Sequence, residues 1–112
     1  MRKFLYLALI LFTFAAKAST VDSLDVPSAV MKKTYKAAVV LPASYSKNQA
    51  SYPVLYLLHG GGGHFRDWLT STPDKNLVKN LADKYNLIIV MPEGETFSWY
   101  LDSPSDPNSK FE

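Results

Sequence analysis

The chain has no cysteine among its 112 residues. That excludes a disulfide framework, a thiolate metal site, a cysteine nucleophile and a lipid-modified cysteine at an export cleavage site. Nor does it have an apolar run long enough to span a bilayer. The longest, residues 4–16, holds about 13 residues with Thr13 inside it, against the roughly 20 that a membrane helix needs. Met1-Arg2-Lys3 precedes this run and Ala16-Lys17-Ala18 closes it. A basic head, an apolar centre and a small-x-small end make a secretory signal, expected to be cleaved after Ala18. The expected division is therefore a signal peptide over 1–18 and a domain fragment over 19–112. An uncleaved anchor is the other reading, and the shortness of the run speaks against it. The expected location is secreted or periplasmic, with no stable membrane anchor after cleavage.

A true excess of positive charge is missing too. The whole chain carries a formal +2. Removing the signal takes away Arg2, Lys3 and Lys17 and no acid, which leaves a net charge near −1. The basic balance belongs to the export signal, so it gives no ground for nucleic-acid binding.

What is present alternates between strand-like and helix-like patterns. Residues 19–27 are polar and read as a flexible start or a short edge strand. Residues 30–41 read as a strand, wet at Lys32, Lys33 and Lys36, apolar from Ala38 to Leu41, and ended by Pro42. Residues 54–58 and 87–91 are unbroken apolar runs, the pattern of strands buried on both faces in a parallel sheet. Between them Thr72 and Pro73 fit the N-cap and first position of a helix. Leu77, Leu81 and Tyr85 form its stripe, with Val78 and Ala82 beside them. Asn86 suits the left-handed residue that stops it. Strand, helix, strand in this order is a βαβ unit. The fold class expected is α/β, with edge strands followed by a βαβ unit of a mostly parallel sheet.

Glycine is scarce, and its placement is informative. Four of the five glycines stand in a row at 60–63, directly after the apolar run and His59. Ligands bind at the carboxyl ends of strands in open α/β sheets. A loop without Cβ atoms lets backbone N–H groups approach a substrate closely. Acyl transfer needs such donors for its tetrahedral intermediate. His-Gly-Gly-Gly after a strand is the oxyanion-loop pattern of α/β-hydrolases. A flexible linker would not normally abut so apolar a run. A P-loop would need a Lys-Ser/Thr pair that is absent here. His59 and His64 lack acidic or sulfur partners at ligand spacing, so no metal is expected, and no cofactor. His59 is expected to brace the loop.

The motifs Tyr56-Leu57-Leu58-His59-Gly60-Gly61-Gly62-Gly63, Asp67-Trp68, Ile89-Val90-Met91-Pro92-Glu93-Gly94 and Ser98-Trp99-Tyr100-Leu101-Asp102-Ser103-Pro104 come in an order and spacing that resemble the esterase D family of serine hydrolases. Its relatives include S-formylglutathione hydrolases, feruloyl esterases and mycolyltransferases. The resemblance runs from about residue 30 to the end. It implies an α/β-hydrolase fold. It also implies that the Gly61 N–H is half of an oxyanion hole in a loop with His59, Gly60, Gly62 and Gly63. Trp99, Tyr100 and Asp102 would then lie near the substrate cleft, with core packing as the other reading of Trp99 and Tyr100. Trp68 is expected to anchor the loop.

The family's Gly-x-Ser-x-Gly nucleophile elbow does not occur in these residues, and no histidine follows His64. Lys110-Phe111-Glu112 resembles the start of the helix that leads to the elbow. The expectation is therefore the N-terminal part of a secreted serine carboxylic-ester hydrolase, truncated before its nucleophile and inactive by itself. Its expected substrate is a small-molecule or carbohydrate ester. A non-catalytic carbohydrate-binding module, with Trp68, Trp99 and Tyr100 as its platform, is the alternative.

Overall fold

The computed structural model of the chain describes residues 16–46 and 51–112. Most of the expected signal peptide, residues 1–15, lies outside the described residues, and Ala16 to Ala18 have no regular structure. Among the described residues, no helix is long and apolar enough to cross a membrane.

Two strands, β1 (Thr20–Ser28) and β2 (Lys33–Leu41), pair antiparallel along their full nine residues. The polar opening segment is thus a complete edge strand and not a flexible start. Its alternating polar side chains sit on an edge where water reaches them. Pro27 is tolerated because an edge strand has an unpaired side. Asp25 faces Lys36 across the pair, with Oδ1 and Nζ 2.6 Å apart. The turn between the strands takes residues 29–32, so β2 starts at Lys33 and not at residue 30. Lys32 closes the turn at φ 51°, and the Met31 N–H donates to Ser28 Oγ at 3.2 Å.

The sheet continues with β3 (Val54–Tyr56) and β4 (Ile88–Pro92), in the order β1-β2-β4-β3. β4 runs antiparallel to β2 and parallel to β3. The β3-to-β4 connection carries two helices, α1 (Asp67–Thr70) and α2 (Leu77–Tyr85). This is the expected α/β arrangement, a mixed sheet with a parallel βαβ unit at one side.

The core is the face of the sheet that α2 covers. Ala38 and Val40 of β2 and Ile89 and Met91 of β4 meet Val78 and Ala82 of α2, and all six are buried. The apolar stripe expected to face the core, Leu77, Leu81 and Tyr85, is exposed. The helix is rotated so that the small Ala82 comes down on the sheet. Small and β-branched side chains allow a close approach that a tyrosine would block.

Thr72 and Pro73 do not open α2, which starts at Leu77 with Asn76 as its N-cap. The Thr72 hydroxyl lies 3.2 Å from the Trp68 carbonyl oxygen and 2.9 Å from that of Asp74, so it serves the turn after α1. The other end agrees with the sequence: Asn86 is left-handed (φ 51°, ψ 51°), and its N–H reaches the Ala82 and Asp83 carbonyls.

The greatest departure is β3. Residues 54–58 have the composition of a buried central strand. The observed strand has three residues and lies at the sheet edge, with Val54, Leu55 and Tyr56 exposed. It has one neighbour, β4, and its other edge is unpaired among the described residues. Residues 110–112 are not the start of a helix. Lys110 forms a β-bridge with Asp102.

Candidate active site

The parallel pair sets where the glycine loop begins. Its ladder ends with the Leu57 N–H donating to the Val90 carbonyl at 2.8 Å. The next carbonyl, Leu58, accepts the Trp68 indole N–H at 2.9 Å. Trp68 therefore anchors the strand end, as expected. His59 follows, only 7% exposed, and its N–H donates to the Tyr100 phenol oxygen at 3.0 Å.

Two donors hold the Gly60 carbonyl: the His59 Nδ1–H at 2.9 Å and the Gly63 N–H at 3.0 Å. No peptide among the described residues is cis. Across a trans peptide the C=O and the following N–H point in opposite directions. Pinning the Gly60 carbonyl inward therefore turns the Gly61 N–H outward. Among the described residues neither the Gly60 nor the Gly61 N–H has a partner. A Cβ at either position would meet nothing within 4 Å, so the loop is uncrowded on its side-chain side. Gly62 turns the loop back at φ 77°, a conformation that favours glycine. Its N–H donates to the Thr96 carbonyl at 3.1 Å.

The partners of His59 assign its tautomer. Nδ1 must carry the proton given to the Gly60 carbonyl. Nε2 accepts the Gly94 N–H at 3.0 Å, so it carries none. The ring is neutral in this arrangement. Glu93 Oε1, 3.3 Å from Nε2, then faces a lone pair and makes no ion pair with it. The Glu93 carboxylate has other duties. It accepts the Glu95 N–H at 2.9 Å and the Phe65 N–H at 3.2 Å, and so ties the end of β4 to the far end of the glycine loop. His64 is exposed, with Nδ1 3.4 Å from Glu93 Oε2.

The second wall is the segment after Gly94. Glu95, Trp99 and Tyr100 all have φ between 55° and 57°. Left-handed backbone at non-glycine residues costs about 1–3 kcal/mol each and persists where surroundings enforce it. Tyr100 is fixed at both ends, by the His59 N–H on its phenol oxygen and by its own N–H on Ser98 Oγ. Its ring lies over Gly94, where any Cβ would overlap the ring atoms. Burial pushes the Tyr100 phenol pKa up, and the nearby Glu93 charge adds to this against the opposing His59 N–H. Trp99 is turned the other way and is 80% exposed. Together His59, Gly60, Gly61, Trp99 and Tyr100 line a small cavity of about 140 Å³.

Most of the site residues read from sequence thus come together. Asp102 does not. It is exposed, and its Oδ1 accepts the Glu112 N–H at 3.0 Å, which holds the terminal segment. Trp99 is not core packing, whereas Tyr100 is half-buried and structural. Trp68 and Tyr100 are both occupied by loop contacts, so Trp99 alone of the three aromatics offers an open face. Sequence reading missed the roles of Glu93 and of Asp67, whose carboxylate accepts the His64 N–H at 2.9 Å. The signal for Asp67 was its place three residues after His64, the spacing of a side-chain-capped turn. Among the described residues no group of three or more His, Asp or Glu is placed to hold a metal ion.

The chemistry on offer is donation of N–H groups to negative charge. Both ring nitrogens of His59 are committed, so it is no general base. Ser98 Oγ accepts the Tyr100 N–H at 3.1 Å, and no histidine hydrogen-bonds to it among the described residues.

The family model described as "Putative esterase" matches residues 28–111. The chain belongs to this esterase family. Its fold is accordingly a partial α/β-hydrolase fold. Esterase Rv1288 of Mycobacterium tuberculosis (strain ATCC 25618 / H37Rv) is 41% identical over 73 residues, which are 65% of this chain and 14% of that protein. An acetyl esterase of Caldicellulosiruptor saccharolyticus is 32% identical over 82 residues, 67% of this chain and 29% of that protein. A solved ferulic acid esterase superposes with a TM-score of 0.68 at 27% identity, over 87% of this chain and 38% of its own. The chain spans well under half the length of each esterase.

Proposed function

We propose that these residues are the oxyanion-loop half of a serine carboxylic-ester hydrolase. The carrying observation is the Gly60–Gly61 peptide. Its carbonyl is held by two donors, its N–H has no partner among the described residues, and both glycines line a small cavity. In the reaction a serine attacks the ester carbonyl and a histidine takes its proton. The carbonyl oxygen becomes an oxyanion, and the Gly61 N–H donates to it. Because the donor is already aimed, no reorganisation is needed as charge develops; one such donor is worth roughly 2.7–4 kcal/mol.

The serine and the histidine would come from residues beyond 112. Two observations support this. The chain spans 38% of the ferulic acid esterase it superposes on. No Gly-x-Ser-x-Gly stands in its own 112 residues. By itself the chain would be inactive. Export with cleavage after Ala18, read from the sequence, would favour substrates outside the cytoplasm, and the names of the acetyl and ferulic acid esterase relatives support a carboxylic ester.

Two measurements test the reading. Coding DNA past codon 112 is expected to encode a Gly-x-Ser-x-Gly. The 112-residue chain is expected to hydrolyse p-nitrophenyl acetate no faster than a heat-treated control. Clear hydrolysis by this chain would contradict the assignment. For export, mass spectrometry of secreted protein should find Ser19 at the N-terminus, and an intact Met1 would contradict cleavage.

A further inference from the structure

Glu93 follows β4 directly, and its side chain is largely enclosed, 15% exposed. Enclosing a carboxylate is costly unless a cation pairs with it. Among the described residues no lysine or arginine does. Lys33 is spent on Glu95, Nζ to Oε1 3.3 Å. The basic groups beside Glu93 are two imidazoles, His59 Nε2 at 3.3 Å and His64 Nδ1 at 3.4 Å. What holds the carboxylate is backbone. Oε1 accepts the Glu95 N–H and Oε2 accepts the Phe65 N–H. A charge kept at such a cost is the kind of local exception that marks a function.

The glycine loop is held at both ends. At its near end the sheet ladder and the His59 N–H fix it. At its far end the next two N–H groups, of His64 and Phe65, go to the carboxylates of Asp67 and Glu93. Asp67 belongs to the turn that follows the loop, so it moves with it. Glu93 does not, because its own N–H donates to the Lys36 carbonyl at 2.9 Å and ties it to β2. Glu93 thus fastens the far end of the loop to the sheet. The same carboxylate holds the Glu95 N–H, and the next residue, Thr96, takes the Gly62 N–H on its carbonyl. Four glycines have no side chains to hold them and lose much entropy on ordering. The direction of the Gly61 N–H therefore depends on both fastenings.

We propose that Glu93 is a positioning residue for ester hydrolysis, which aims the Gly61 N–H at the oxyanion by holding Phe65 and Glu95 with its two oxygens. This rests on the esterase reading and deepens it. Glu93 touches no substrate and acts through the loop. Both oxygens must accept, so the carboxylate form is needed and an amide of the same size cannot replace it.

Three variants test this, in the 112-residue chain and in the product of the reading frame extended past codon 112. Glu93→Gln keeps the size but loses the charge and one acceptor. Glu93→Asp keeps the charge and both acceptors but is one methylene shorter. Asp22→Asn removes an exposed carboxylate on β1 as a control. A side chain that only fills space is better replaced by Gln, and one that acts through two acceptors by Asp. With p-nitrophenyl acetate and the extended product, Glu93→Gln is expected to lower kcat and kcat/KM together, about tenfold or more, because the oxyanion contact is made in the transition state. Glu93→Asp is expected to lose less, and Asp22→Asn nothing. In the 112-residue chain labelled with 15N-glycine, five amide signals report the loop. Those of Gly62 and Gly63 are expected to shift and to exchange faster in Glu93→Gln while circular dichroism is unchanged. Full activity of Glu93→Gln, activity higher than that of Glu93→Asp, or a rise in KM alone would overturn the proposal and leave the esterase reading standing. So would unmoved Gly62 and Gly63 signals. An extended product without esterase activity would overturn the esterase reading and the positioning role with it.

Discussion

At the residue scale, His59 does the decisive work. Its two ring nitrogens do opposite things. Nδ1–H holds the Gly60 carbonyl and Nε2 takes the Gly94 N–H. Amide hydrogen exchange reads this directly. Gly94, Gly62 and Gly63 amides are expected to exchange slowly, and Gly61 quickly. His59→Ala leaves a buried Gly94 N–H without its acceptor, a cost of about 1–3 kcal/mol. Its exchange is then expected to rise towards that of Gly61. Unchanged Gly94 protection in the variant would show that the ring is dispensable. Tyr100 gives a pH signature. Its pKa is raised in the folded chain by burial. The neutral phenol is thus favoured by folding. The stability tied to this is fully present below about pH 10, the ordinary tyrosine value. It is lost as pH rises through the higher folded pKa. Tryptophan fluorescence is expected to report loosening of the 94–100 segment in that alkaline window. In Tyr100→Phe that step disappears, although the loop is weaker at every pH because the His59 N–H has lost its acceptor. An alkaline step of the same size in Tyr100→Phe would assign it elsewhere.

At the element scale, the sequence was most legible where a residue's local chemistry decides. Asn86 was readable as the stop of α2 because few residues accept a left-handed backbone. Asn86→Ala is expected to destabilise the helix end by about 1 kcal/mol, and Asn86→Gly to change it little. Thermal melts followed at 222 nm by circular dichroism check both, and equal melting temperatures for Asn86→Ala and the parent would contradict the role. The glycine loop after β3 was readable for the same kind of reason, whereas the β4 run was read from its apolar composition. The errors arose where long-range packing decides. Leu77, Leu81 and Tyr85 have better helical spacing than hydrophobic need, and the small Ala82 won the contact with the sheet. Thr72 has the right chemistry for an N-cap, but nearby carbonyls claimed its hydroxyl. Composition alone made residues 54–58 a central strand. Its burial depends on neighbours that composition does not supply. The glycine motif made a candidate oxyanion loop legible, but Glu93 as the loop's tether was hidden, since its partners are backbone amides 28 and 2 residues away.

Over the whole molecule, apolar surface is unevenly covered. Ile89 and Met91 of β4 and Val78 and Ala82 of α2 are buried, while the other residues of β4 are half-buried and Val54, Leu55, Tyr56, Leu58, Leu77, Leu81 and Tyr85 are open to water, so the 87–91 run is covered on one face and not on both. An exposed apolar strand edge favours association. Even whole domains are stable by only about 5–15 kcal/mol. The isolated chain is therefore expected to bind hydrophobic dyes and to self-associate as its concentration rises, measured by dye fluorescence and by sedimentation. A sharp cooperative transition from a dye-free monomer at high concentration would show that the chain is self-sufficient.

The central claim is that this chain supplies the oxyanion donor of a serine esterase whose nucleophile lies elsewhere in the gene product. Fluorophosphonate labelling with peptide mapping tests it most directly, applied to the 112-residue chain and to the product of the reading frame extended past codon 112. The expected result is one labelled serine, in a Gly-x-Ser-x-Gly beyond residue 112, and no labelling of the 112-residue chain. A specific label on any serine within residues 1–112, or none on the extended product, would contradict it.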